Sequence, residues 1–159
     1  MKAAYKETSV AVGKSKEQIE TLLKKFNVTA TRFTSFPGYA LLEFIRKEKD
    51  GKSTPYRIKV KPKLSYSRNP GKELDRAERQ VWRVVYWWLK SKLEAIEFGL
   101  VEFQEDFLPY MLISDNAGNA ETVGAIMAEK LAGFDALLDF TGMRKALPSP
   151  EVREDENTR

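Results

Sequence analysis

The chain has 159 residues, 42% of them hydrophobic and 31% charged, with a formal net charge of +4 and neither cysteine nor histidine. That composition belongs to a folded globular domain large enough to bury a core of its own. The absent residue types exclude a disulfide framework, a thiolate zinc site, a cysteine nucleophile and any imidazole base or metal ligand.

No stretch approaches the roughly 20 apolar residues of a membrane span, and the sequence after Met1 lacks a signal peptide's apolar run. A cytoplasmic location with no membrane partner is therefore expected. The charge is unevenly placed. Residues 46–95 hold 15 Lys and Arg against 6 Asp and Glu, whereas residues 96–159 hold 5 against 13. Blocks of opposite sign suggest a basic binding face, or two halves that attract each other.

In chain order, residues 8–12 (TSVAV) predict a short strand ended by Gly13. Ser15 and Gln18 have the spacing of a capping box. Ile19, Leu22, Leu23 and Phe26 then recur at helical spacing over about 16–26, with Asn27 as the stop. From Thr29 the period becomes that of strands. TATRFTSF, YALLEFIRK and PYRIKVKPK predict three antiparallel strands, joined by turns at Pro37-Gly38 and Asp50-Gly51. In the third, Arg57, Lys59, Lys61 and Lys63 alternate with Tyr56, Ile58, Val60 and Pro62, which places the four cations on one face.

The Ser-, Asn-, Pro- and Gly-rich loop 64–72 leads into a long helix over Lys72–Gly99 that carries all three tryptophans. One of its stripes is apolar. The opposite stripe reads Arg76, Arg79, Arg83, Trp87, Lys90, Glu94 and Glu97, so Trp87 stands among cations where solvent is expected. Either a second layer, such as the C-terminal helices, covers Trp87, or it is a stacking platform flanked by phosphate-binding groups. Beyond Gly99 come an acidic segment, an apolar run at 107–113, a polar turn at 114–119 and one or two helices over 122–138, broken near Gly133.

These elements define an α+β fold. An antiparallel β-meander of three to four strands is covered by one long helix, with shorter C-terminal helices. One domain spans 1–147, and 148–159 reads as a disordered acidic tail. The acidic residues Glu94, Glu97, Glu102, Glu105, Asp106 and Asp115 leave an oxygen-only magnesium or calcium site as a third, catalytic alternative, but they lack calcium-loop spacing, and no nucleotide-binding glycine loop is present. No catalytic, metal-binding or cofactor-binding residues are assigned.

Lys14-Ser15-Lys16, Arg79-Gln80-x-Trp82-Arg83, Lys90-x-Lys92-Leu93-Glu94-Ala95, Phe107-Leu108-Pro109-Tyr110 and Thr122-Val123-Gly124 give the chain a resemblance. It resembles a widespread family of small, functionally uncharacterised proteins of bacteria and their phages, over about Val12–Gly124. The resemblance implies a mobile-element setting and no particular activity. The β-β-β-α order is also similar to the layout of phage single-strand annealing proteins.

The residues themselves lead to a non-enzymatic, sequence-tolerant binder of single-stranded nucleic acid. Its contacts would be Arg57, Lys59, Lys61 and Lys63 on the strand, Arg68 in the loop, and Arg76, Arg79, Arg83, Trp87 and Lys90 on the helix. The alternative is an adaptor or inhibitor that binds an acidic partner protein. A homo-oligomer would let one ligand reach both rows.

Overall fold

The computed structural model describes residues 4–114 and 118–132. The elements are α1 (Val12–Lys24), β1 (Val28–Phe36), β2 (Tyr39–Lys47), β3 (Ser53–Val60), α2 (Pro70–Glu97), α3 (Phe103–Phe107), β4 (Leu112–Ser114), β5 (Ala120–Thr122) and α4 (Val123–Ala132), with a 3₁₀ turn at Leu108–Tyr110. The chain divides into two compact units, Met1–Ala125 and Ile126–Arg159. Of the second, residues 126–132 are described and continue α4. The expectations for residues 133–159, including the tail 148–159, lie outside the described residues.

The fold is α+β, with β1-β2-β3 as an antiparallel sheet and β4-β5 as a separate two-stranded one. Pro37-Gly38 makes the first turn: Pro presets its own φ and Gly38 takes φ 82°, which a residue with a Cβ resists. The register follows outward from that turn. Phe36 faces Tyr39, Thr34 faces Leu41 and Arg32 faces Glu43. On the other side of β2, Ala40 faces Val60, Leu41 faces Lys59 and Glu43 faces Arg57. Period-two alternation then sends Ala40, Leu42 and Phe44 of β2, with Tyr56, Ile58 and Val60 of β3, into the core.

Helices cover that inner face. Ile19 and Leu23 of α1, Trp82, Val85, Leu89 and Leu93 of α2, and Phe103 and Phe107 of α3 join the strand residues in one buried cluster. α2 begins as its sequence demands, with Pro70 in the first turn and the Asn69 side chain accepting from the Lys72 amide at 3.2 Å. It ends where Gly99, at φ 73°, turns the chain back and its N–H donates to the Ile96 carbonyl.

Phe107 is the knot of the core. Its ring stacks on Phe103 at 4.4 Å between centroids and meets Phe44, Tyr56, Trp88 and Tyr110 edge-on at 6.1–6.4 Å. Beside it, Arg46 packs over the Phe103 ring, donates to the Phe26 carbonyl and pairs with Glu48, which also accepts from the Tyr56 hydroxyl. Burial and the neighbouring Glu48 charge push the Tyr56 hydroxyl well above its ordinary pKa. Arg46, Glu48 and Tyr56 thus satisfy one another in this small interior network, as burial requires.

Three local expectations are corrected. Residues 8–11 form no strand, because α1 already begins at Val12 and takes Gly13 into its first turn. Ser15 does not cap the helix. It lies one turn inside, fully buried, and its hydroxyl finds no partner among the described residues. β3 stops at Val60 rather than running to Lys63. Ala40, opposite Val60, is one residue from the start of β2, and Pro62 has no N–H to extend a ladder.

Side chains and turns from distant segments meet in space. Gly124 lies so close to the 3₁₀ turn that a Cβ there would come within 2.9 Å of the Pro109 carbonyl oxygen. Gln80 bonds the Ala4 carbonyl, Arg83 bonds Gln18, and Lys92 pairs with Asp106 at 2.6 Å. In this structure those residues tie elements together.

Candidate nucleic-acid interface

The ten candidate residues fall into two groups on opposite sides of the molecule. The helices cover one face of the sheet, so the side chains of opposite parity form its outer face. Arg57 and Lys59 lie there, as their alternation with Ile58 and Val60 requires. Lys61 and Lys63 follow in the extended segment after β3 and are exposed. Arg68 is exposed in the loop before α2.

Across the three strands Arg57, Glu43 and Arg32 form one row. Glu43 accepts from Arg57 Nε at 2.8 Å and from Arg32 Nε at 2.8 Å, and lies 2.6 Å from Arg32 Nη2. Arg57 also donates to the Ala120 carbonyl at 3.1 Å, fixing its guanidinium from a second side. Burial pushes the Glu43 carboxyl up, but the hydrogen bonds and charges of the two arginines outweigh it and hold the group below its usual range. A guanidinium has five N–H groups, so both arginines keep donors beyond these bonds.

The next rows toward the turn add apolar and aromatic surface. Leu41 separates Thr34 from Lys59, and the rings of Phe36 and Tyr39 stack at 4.8 Å with 13° between their planes. Lys59 Nζ sits 4.4 Å from the Tyr39 centroid. Phe36 is 40% exposed, and so is Ile45 on the far side of Glu43. Ile45 floors a surface hollow of about 330 Å³, bordered by Ala30, Arg32, Glu43, Pro55 and Leu112. The face thus carries Arg57 and Lys59 of β3, an aromatic stack at one end and a surface hollow at the other.

Phe36, Tyr39 and Arg32 were absent from the sequence-derived set. Their signal was present. Counting outward from Pro37-Gly38 pairs Phe36 with Tyr39 and Arg32 with Glu43, and all four share the face of Arg57 and Lys59.

The helix group is differently placed. α1 packs along α2, and α1 and the segment before it meet the basic stripe, Gln18 at Arg83 and Tyr5 at Trp87. Arg76 forks onto Glu73 at 2.5 and 2.9 Å and donates to Gln80. The Arg76 guanidinium and the Ser65 amide hold the Glu73 carboxyl down at about 2. Arg79 pairs with Asp75. Lys90 reaches Glu94 at 3.5 Å, and Arg83 donates to Gln18 at 2.7 Å. Trp87 is 38% exposed, between core and surface. Arg83 and Lys90 lie 5.2 and 5.0 Å from its ring, and Tyr5 stacks on it.

The acidic segment is used locally. Glu102 and Glu105 cap α3 in both directions, and Asp106 pairs with Lys92. A surface hollow of about 400 Å³ is bordered by Glu48, Asp50, Glu102 and Glu105 with Arg46 and Lys49, a lining that would repel phosphate. Among the described residues no group of three or more acidic side chains is placed to hold a metal ion, and no helix is long and apolar enough to cross a membrane. No family model, curated protein or solved structure matches the chain.

Proposed function

We propose that the protein binds single-stranded nucleic acid, with little sequence preference and without catalysis, through the outer face of its three-stranded sheet. The observation that carries this reading is the stacked Phe36–Tyr39 pair standing beside Lys59 on an open, cationic face. Cations at alternate positions along β3 are about 6.6 Å apart, a spacing suited to successive phosphates of an extended strand. An aromatic pair on a sheet can stack only on bases that are free of a duplex. A cytoplasmic, mobile-element setting, drawn from the family resemblance, is part of the same proposal.

Anisotropy of a fluorescent homopolymeric oligonucleotide tests it. Binding should weaken steeply with salt, with a log–log slope near −2 if Arg57, Lys59 and Lys61 each neutralise one phosphate at about 0.7 per contact. Lys59→Glu should cost about tenfold at low salt. Absence of binding at low ionic strength, or equal affinity for a duplex, would overturn the proposal.

The adaptor reading has one observation in its favour. Phe98 and Leu100, at the end of α2, are 84% and 79% exposed, an apolar pair that a nucleic-acid platform leaves unused.

A further inference from the structure

Three features at the N-terminal end of the described chain converge on Trp87. The Tyr5 ring lies nearly parallel to the Trp87 ring, 8° between planes and 6.4 Å between centroids. The Ala4 carbonyl accepts from Gln80 Nε2 at 2.7 Å, pinning the backbone beside α2. Tyr5 itself adopts φ 58°, a left-handed conformation that a bulky residue takes at a cost. The segment is thus bent against its own preference to place an aromatic ring on Trp87.

The surroundings of that ring match a nucleotide better than a core. Tyr5 is 43% exposed and Trp87 38%, so their contact excludes water only in part. Of the stripe's cations, Arg76 and Arg79 are closely paired with carboxylates, whereas Lys90 has one only at 3.5 Å and Arg83 has none among the described residues. The two lightly neutralised cations are the two that flank Trp87.

We propose that Trp87, Arg83 and Lys90 form a second single-strand contact, and that Tyr5 occupies it until a nucleobase displaces the ring. The proposal rests on the nucleic-acid reading above and adds to it a covered site on the helical side. That side faces away from the sheet platform. Only an oligonucleotide long enough to pass around the edge of the domain reaches both, and a short one takes the sheet alone.

Tyr5→Ala in the full chain tests this. The first readout needs no ligand: acrylamide should quench tryptophan fluorescence more strongly in the variant, because Trp82 and Trp88 stay packed in the core and Trp87 loses its cover. The second is affinity for oligothymidylates of about 6 and about 30 nucleotides, the first within and the second well beyond the ~4–16 nucleotides of one binding module. The variant should bind the long probe about fivefold more tightly, the low end of one base's stacking, and the short probe unchanged. Adding Trp87→Ala should erase the gain, with a thermal melt confirming that the double variant is folded.

Unchanged quenching, or unchanged long-probe affinity in a protein that does bind, overturns the covered site and leaves the sheet interface standing. Binding that appears only in Tyr5→Ala supports the covered site and overturns the sheet interface. Absence of binding by both proteins overturns both.

Discussion

Truncation of Phe107 to alanine is expected to cost about 3–5 kcal/mol of stability, the usual range for a large aromatic removed from a closed core. Phe107 is fully buried and touches rings from β2, β3, α2, α3 and the 3₁₀ turn, so no single neighbour can move in to fill the void. A domain of this kind has only about 5–15 kcal/mol in total, so the variant should melt about 10 °C or more below the parent. Urea titration followed by circular dichroism measures the loss. A loss under about 1 kcal/mol would show that the aromatic cluster does not join sheet to helices as described. The sequence contained the clue in the spacing of Phe103 and Phe107, one helical turn apart. A five-residue helix is too short for its period to stand out, and the segment read instead as acidic.

The second large effect runs in opposite directions for stability and binding. Glu43→Ala removes the carboxylate that Arg32 and Arg57 share on the sheet's outer face. The stability loss should be about 1–2 kcal/mol. That is below the 3–5 typical of a fully buried pair, because the Arg32 side chain is 72% exposed and water screens it. Two arginines freed of their counter-charge should at the same time bind an oligonucleotide more tightly, by about three- to tenfold at low salt. Tighter binding with lower stability is hard to obtain from general unfolding, which makes the pair of signs informative. Weaker binding would mean that Glu43 orients the arginines for the ligand more than it neutralises them.

The same residue gives a pH dependence. The Glu43 carboxyl titrates below its usual range in the folded protein, so the unfolded chain takes up a proton first as pH falls. Its stabilisation is complete above the ordinary glutamate value of about 4.3 and is lost as pH drops through the lower folded value. The acid limb of the parent's melting curve should therefore be steeper than that of Glu43→Ala.

What could be read from the sequence divides along physical lines. The β2 strand, the turn at Pro37-Gly38 and the end of α2 at Gly99 lie where local chemistry puts them, since turns and caps depend on a few adjacent residues. The inward set Tyr56, Ile58 and Val60 follows from period two alone. The row of four cations does not persist as a strand face, because β3 can pair only as far as β2 extends and Lys61 and Lys63 lie beyond Val60. On the helix stripe the local pairs Arg76–Glu73, Arg79–Asp75 and Lys90–Glu94 follow from helical spacing, but the long-range neighbours of Arg83 and Trp87 were not legible. Gln18 of α1 and Tyr5 reach Arg83 and Trp87 across long sequence separations, and nothing in the pattern of α2 announces its neighbours. The Phe36–Tyr39 stack and the Arg32–Glu43–Arg57 row were legible in principle. They needed only the register that the two turns impose.

Backbone amide NMR of the full chain during titration with a short single-stranded oligonucleotide tests the sheet interface most directly. The largest shift changes are expected at Arg32, Phe36, Tyr39, Glu43, Arg57 and Lys59, with α1 and the buried side of α2 little affected. Changes confined to Phe98–Leu100 or to the acidic surface around Glu102, with the outer face of the sheet silent, would contradict it.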